Sequence, residues 1–130
     1  MIDHLGIRVR DAEKSRQFYN KALAPIGYTL LMEVPKEYTN GITVLGYGEA
    51  PKPDFWVSGG QANQQATHVA FRVKTRAEVD GFYKAAMAAG GRDNGAPGVR
   101  PHYHENYYGA FVLDPDGNNI EAVCHEPMGK

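Results

Sequence analysis

His4-Leu5-Gly6-Ile7-Arg8-Val9 and His68-Val69-Ala70-Phe71-Arg72-Val73 stand 64 residues apart, close to half the length of a 130-residue chain. At the same spacing Phe18-Tyr19 falls on Phe82-Tyr83 and Pro51 on Pro115, with no gap needed to keep register. Three coincidences in one register argue for two copies of one unit. Each copy opens with a strand. Leu5, Ile7 and Val9 share one face and His4, Gly6 and Arg8 the other, as Val69, Phe71 and Val73 oppose His68, Ala70 and Arg72. The apolar faces have to bury against something, so the two histidines point away from the core.

A helix follows each opening strand. Thr75-Arg76-Ala77-Glu78 is a capping-box pattern, after which Val79, Phe82, Tyr83 and Met87 recur at helical spacing until Gly90-Gly91 ends the run. In the first copy Asp11 is the N-cap, Phe18, Tyr19 and Ala22 form the apolar stripe, and Pro25 and Gly27 stop it. Strand-like stretches complete the copies at 28–34, 42–48 and 54–58, then at 92–94, 106–113 and 119–124. Asp114-Pro115-Asp116-Gly117 is a turn that makes the last two strands a hairpin, and the polar run from Gly59 to Gln65 links the copies. The fold expected is α+β: one domain over 1–130, built of two βαβββ modules at 1–60 and 64–127, forming a curved mixed sheet around a cleft.

Composition narrows the functional classes. A net charge of −1, with 42% hydrophobic and 22% charged residues, is ordinary for a globular chain and argues against nucleic acid or an anionic membrane as partner. No apolar run resembles a signal peptide or a membrane span, and Cys124 is the single cysteine, so no internal disulfide forms and the expected compartment is the cytoplasm.

The chemistry gathers on the face opposite the core. Modules related by a pseudo-twofold place their first strands side by side, which brings His4 and His68 together within one chain or across a dimer. Glu121 follows the hairpin turn on the last strand. Two imidazoles and a carboxylate form the facial triad of non-haem iron sites and a common zinc set with an open position. His102 and His104, two apart, are either acid–base groups beside a substrate or part of a polar surface loop. Arg100 suits a carboxylate or phosphate, with Tyr107 and Tyr108 beside it. Arg8 and Arg72 either hold an anion or sit at the sheet rim in water, and Phe55 and Trp56 either line an apolar pocket or pack in the core. Cys124 reads as a small buried residue.

The motifs Asp3-His4-Leu5-Gly6-Ile7, Thr67-His68-Val69-Ala70-Phe71 and Phe111-Val112-Leu113-Asp114-Pro115-Asp116-Gly117-Asn118-Asn119-Ile120-Glu121 resemble the vicinal oxygen chelate superfamily. That group includes glyoxalase I, fosfomycin-resistance enzymes, extradiol dioxygenases and bleomycin-resistance proteins. The resemblance spans nearly the whole chain and implies a divalent metal (zinc, iron(II), manganese or nickel) held by His4, His68 and Glu121. Such a metal chelates two neighbouring substrate oxygens and stabilises the charge that develops on them. Departures from the pattern narrow the choice. Glyoxalase I carries a fourth ligand, a glutamate on the last strand of its first module. Here the 64-residue offset puts Val57 there, while shifts of one or three residues put Trp56 or Asp54, and of these only Asp54 can ligate. In the extradiol dioxygenase signature, which His104, the Asp114–Gly117 turn and Glu121 fit, the tyrosine position holds Phe111. Bleomycin-resistance proteins generally lack the metal ligands kept here.

The leading expectation is a metal-dependent, lyase- or isomerase-like enzyme acting on a small molecule through vicinal oxygens. The alternatives are a metal-free protein that binds an aromatic or drug-like ligand, or a relic of the fold that only mediates assembly. Open sheet edges and an aromatic content of 11% point to a homodimer.

Overall fold

The computed structural model describes residues 1–128. Ten principal elements follow one another: β1 (Leu5–Arg8), α1 (Ala12–Ala22), β2 (Thr29–Glu33), β3 (Val44–Gly48), β4 (Phe55–Ser58), β5 (His68–Val73), α2 (Arg76–Ala88), β6 (Arg92–Val99), β7 (Tyr108–Leu113) and β8 (Asn119–Cys124). They form two mixed sheets of four strands with matching order, β1-β4-β3-β2 and β5-β8-β7-β6. In each, the opening strand runs parallel to the last strand of its module and the remaining pairs are antiparallel. The α+β architecture expected from the repeat is the one observed.

The helices begin where the capping chemistry dictates. Asp11 accepts from the backbone N–H groups of Glu13 and Lys14, and Thr75 and Glu78 make the reciprocal capping box. Between the sheets lies one core, in which Phe18, Tyr19, Val79 and Phe82 from the helices meet Leu45, Phe55, Val57, Val69, Phe71, Val112 and Ile120 from the strands. β5 alternates without a break: Val69, Phe71 and Val73 are buried, and His68, Ala70 and Arg72 are exposed. The outward faces of the two sheets carry the chemistry.

β6 is longer than its sequence suggests. The strand-like stretch in the sequence stops at 94 and Gly95-Ala96-Pro97-Gly98 lies beyond it, yet the strand runs to Val99, with register shifts between Asp93 and Gly95 and between Gly95 and Gly98. It is an edge strand, so Pro97 breaks no ladder on its free side and the bulges absorb the glycines. No helix among the described residues is long and apolar enough to cross a membrane.

Two tyrosines, Tyr47 buried and Tyr28 half-buried, give the fold a pH limit. Burial first, and then the hydrogen bond to Asp54, push the Tyr28 hydroxyl up to about 12, and burial does the same for Tyr47. A raised tyrosine favours the native state while it is neutral. That contribution is complete below the unfolded value of 10.0 and is lost as pH climbs towards 12. The urea midpoint is therefore expected to fall through this window, and the Tyr47→Phe variant to fall less. A midpoint that stays flat across the window would contradict this.

Candidate metal centre

Glu121 is 1% exposed although it stands on the outward face of its sheet. It pairs with Ala70 on one side and Phe111 on the other. Two groups reach its carboxylate. His68 Nε2 lies 2.8 Å from Oε1, and the Tyr107 hydroxyl donates to Oε2. Strand alternation selects Tyr107 for this contact. Positions 107, 109 and 111 share a face with Glu121, and Gly109 leaves the intervening position empty. A Cβ at Gly109 would stand 3.2 Å from the Tyr107 ring and 3.3 Å from Glu121 Oε2. Burial first, and then the hydrogen bond and charge of Glu121, hold the Tyr107 hydroxyl well above the ordinary tyrosine value. Among the described residues no lysine or arginine pairs with Glu121. A buried carboxylate met only by an imidazole and a phenol is costly unless a cation joins it.

His4 stands on the other sheet. Its Nδ1 lies 2.7 Å from Asp3 Oδ2, and Lys52 Nζ lies 3.0 Å from the other carboxylate oxygen. The hydrogen bond to His4, followed by Lys52, holds the Asp3 carboxyl below its usual value. A carboxylate on Nδ1 leaves Nε2 as the free lone pair, the arrangement that orients metal-binding imidazoles. His4 borders a depression of 550 Å³ with Gly6, Lys52, Pro53 and Trp56.

The expected triad is therefore placed as two parts. His68 and Glu121 meet in one chain, whereas no three His, Cys, Asp or Glu side chains come together as a ligand set among the described residues. β1 and β5 each pair with one strand only, β4 and β8, so the first strands do not lie side by side in a ladder within this chain. The donors present fit a divalent metal at His68–Glu121, with a third ligand to come from elsewhere.

The remaining candidates divide by strand face. Of the two aromatics of β4, Phe55 is 1% exposed and packs edge-on against Tyr19 and Phe71 in the core, and Trp56 stands on the outward face. Tyr108 points towards α2, donates to Asp80 at 2.7 Å and lies under Arg76. His104 receives the Asn106 N–H on Nδ1 and contacts His125 Nδ1 at 2.8 Å through Nε2. His125 had no sequence signal beyond standing opposite Tyr107 if the hairpin register is counted back from its turn. His102, Arg100, Phe111 and Asn119 border a shallow hollow on the Glu121 side of the sheet, with Arg100 over the Phe111 ring. Cys124 is buried, as expected.

The ladder registers also settle the position opposite Glu121 in the first module. Gly6 pairs with Trp56 as Ala70 pairs with Glu121, so Trp56 is the counterpart and the repeat offset in the last strand is one residue longer than in the first. Asp54, the alternative, accepts from the Tyr28 hydroxyl at 2.9 Å. A family model, Glyoxalase/Bleomycin resistance protein/Dioxygenase superfamily, matches residues 1–122. The chain belongs to that superfamily. The glyoxalase-like fold recurs in a glyoxalase/bleomycin resistance protein from Albidiferax ferrireducens, 25% identical, with 98% of this chain and 99% of that one covered and a TM-score of 0.74. A glyoxalase I mutant from Zea mays is 26% identical with a TM-score of 0.70, and the alignment covers 94% of this chain and 46% of that one. The fosfomycin resistance protein FosX from Listeria monocytogenes, solved with Mn(II) and 1S,2S-dihydroxypropylphosphonic acid, shares the fold at 17% identity, a TM-score of 0.66 and coverage of 95% and 91%. No curated protein matches in sequence.

Proposed function

We propose that this glyoxalase-superfamily chain is a metal-dependent, lyase- or isomerase-like enzyme acting on a small molecule with two neighbouring oxygens. The observation that carries the reading is Glu121: a buried carboxylate beside His68 Nε2, with no fixed cation among the described residues. His68 and Glu121 would hold the metal together with His4, whose Nε2 is left free by Asp3. Because His4 is apart from that pair, the centre is completed between two copies, His4 of one meeting His68 and Glu121 of the other. A bound divalent ion would supply Lewis acidity towards the substrate oxygens.

The chain's own residues supply the rest. The Tyr107 hydroxyl donates its hydrogen to the Glu121 carboxylate and can deliver that proton to a neighbouring atom. His102 borders the hollow over Phe111 and is the better placed of the two histidines for proton transfer, since His104 is engaged by His125 and Asn106. Among the described residues the Arg100 guanidinium hydrogen-bonds the Ala96 carbonyl alone and lies over the Phe111 ring, and it can receive an anionic substituent.

Elemental analysis after loading with zinc, manganese, iron(II) or nickel tests the reading. One ion per chain is expected, in a species heavier than the 14.3 kDa of one chain. A monomer that takes up no metal would sink it and leave the metal-free binding protein.

A further inference from the structure

The two halves of the repeat differ at one telling position. Where the second module puts Glu121 on its outward face, the first puts Trp56, which has no lone pair to give a metal. The indole lies flat across β3. A Cβ at Gly46 would come within 2.7 Å of Trp56 Cζ3, 2.8 Å of Cη2 and 3.0 Å of Pro53 Cβ. On the opposite flank Gly6 also lacks a side chain, and a Cβ there would stand 3.7 Å from the Trp56 Cβ. The indole thus occupies a slot kept open by Gly46, with Pro53 as its wall. It shares the 550 Å³ depression with the imidazole of His4. The charges there are spent on each other, because Lys52 binds both the Asp3 carboxylate and the Asp3 carbonyl, each at 3.0 Å. What remains to recognise a ligand is the indole and a histidine beside it.

We propose that Trp56 determines specificity, forming a subsite for a planar ring. The substrate is then a molecule whose two neighbouring oxygens are borne on an aromatic or heteroaromatic frame. The proposal rests on the metal-centre reading for the oxygens but on Trp56 alone for the ring. A ring stacked on the indole brings its substituents beside His4, where the oxygens are wanted. Offset stacking rewards planarity beyond apolar area.

Hydroxamates separate the two ideas, since one chelating head can carry a phenyl, cyclohexyl or methyl group. In the zinc-loaded protein, calorimetry should find benzohydroxamate binding about tenfold tighter than cyclohexanecarbohydroxamate, the gain expected of one aromatic pair. Trp56→Leu should bring the two within about twofold, Trp56→Phe should keep most of the preference, and acetohydroxamate should bind all three proteins alike. Trp56 is the chain's single tryptophan, so indole fluorescence reports this subsite alone. Benzohydroxamate should quench it, and should still do so at higher concentration in protein stripped with a chelator. Quenching by the phenyl compound alone in a protein that binds no metal would sink the metal centre and leave the ring subsite standing. Equal binding of the phenyl and cyclohexyl compounds by the parent, a preference that survives Trp56→Leu, or no quenching in either state would overturn the subsite.

Discussion

Replacing Asp114 with alanine is expected to cost about 3–5 kcal/mol of folding stability. Asp114 is 1% exposed and lies in the turn between β7 and β8. Its Oδ1 accepts from the backbone N–H groups of Asp116 at 2.9 Å and Asn118 at 2.8 Å. Its Oδ2 accepts from Asn118 Nδ2 at 3.0 Å and from the Tyr19 hydroxyl at 2.6 Å. Alanine would strand all of these donors, and Tyr19 is fully buried, so no water can replace the carboxylate there. Tyr19→Phe removes one donor and leaves the carboxylate its other partners, so about 1–2 kcal/mol is expected. The double variant should lose little more than Asp114→Ala alone, because Tyr19 then has nothing left to lose. The contact joins α1 of the first module to the last hairpin of the second, so the loss should be felt in both sheets. Urea unfolding followed by circular dichroism gives the numbers. A cost below about 1 kcal/mol for Asp114→Ala would show that the turn holds itself without the carboxylate.

The same turn explains what could be read from the sequence. Asp114-Pro115-Asp116-Gly117 announces a hairpin through local chemistry, just as Thr75 with Glu78 announces a helix start and the alternation of 68–73 announces a half-buried strand. All three are visible because each residue acts on its immediate neighbours. Position across a sheet is harder to read. Trp56 and Phe55 are adjacent and both aromatic, and only the register of β4 against β1 puts one outside and one in the core. Tyr107 and Tyr108 pose the same choice one residue before and at the start of β7, and Gly109 then lets Tyr107 reach Glu121. β6 was obscured because its bulges consume the residues that usually mark a loop. The repeat revealed which residues are equivalent, yet one extra residue in the second module turned the match for Glu121 from Val57 into Trp56.

The proposed metal centre carries the second large prediction. His4→Ala and His68→Ala should each lower divalent-metal affinity on the order of a hundredfold or more, since losing a ligand exceeds the loss seen for an outer partner. The two variants then distinguish a centre within one chain from one shared by two. If His4 of one copy meets His68 and Glu121 of the other, a mixed dimer of the variants has one centre with both lesions and one intact. Random reassortment makes half the dimers mixed, so co-refolding should restore about a quarter of the parental metal capacity. A centre built within each chain restores nothing, because every chain carries one lesion. Asp3→Ala should weaken binding about tenfold, by freeing the His4 ring to turn rather than by removing a ligand, and in the mixed dimer that penalty should appear only when Asp3→Ala shares a chain with intact His4. Restoration to about a quarter would fix the shared geometry, and failure to restore any capacity in a verified mixed dimer would refute it.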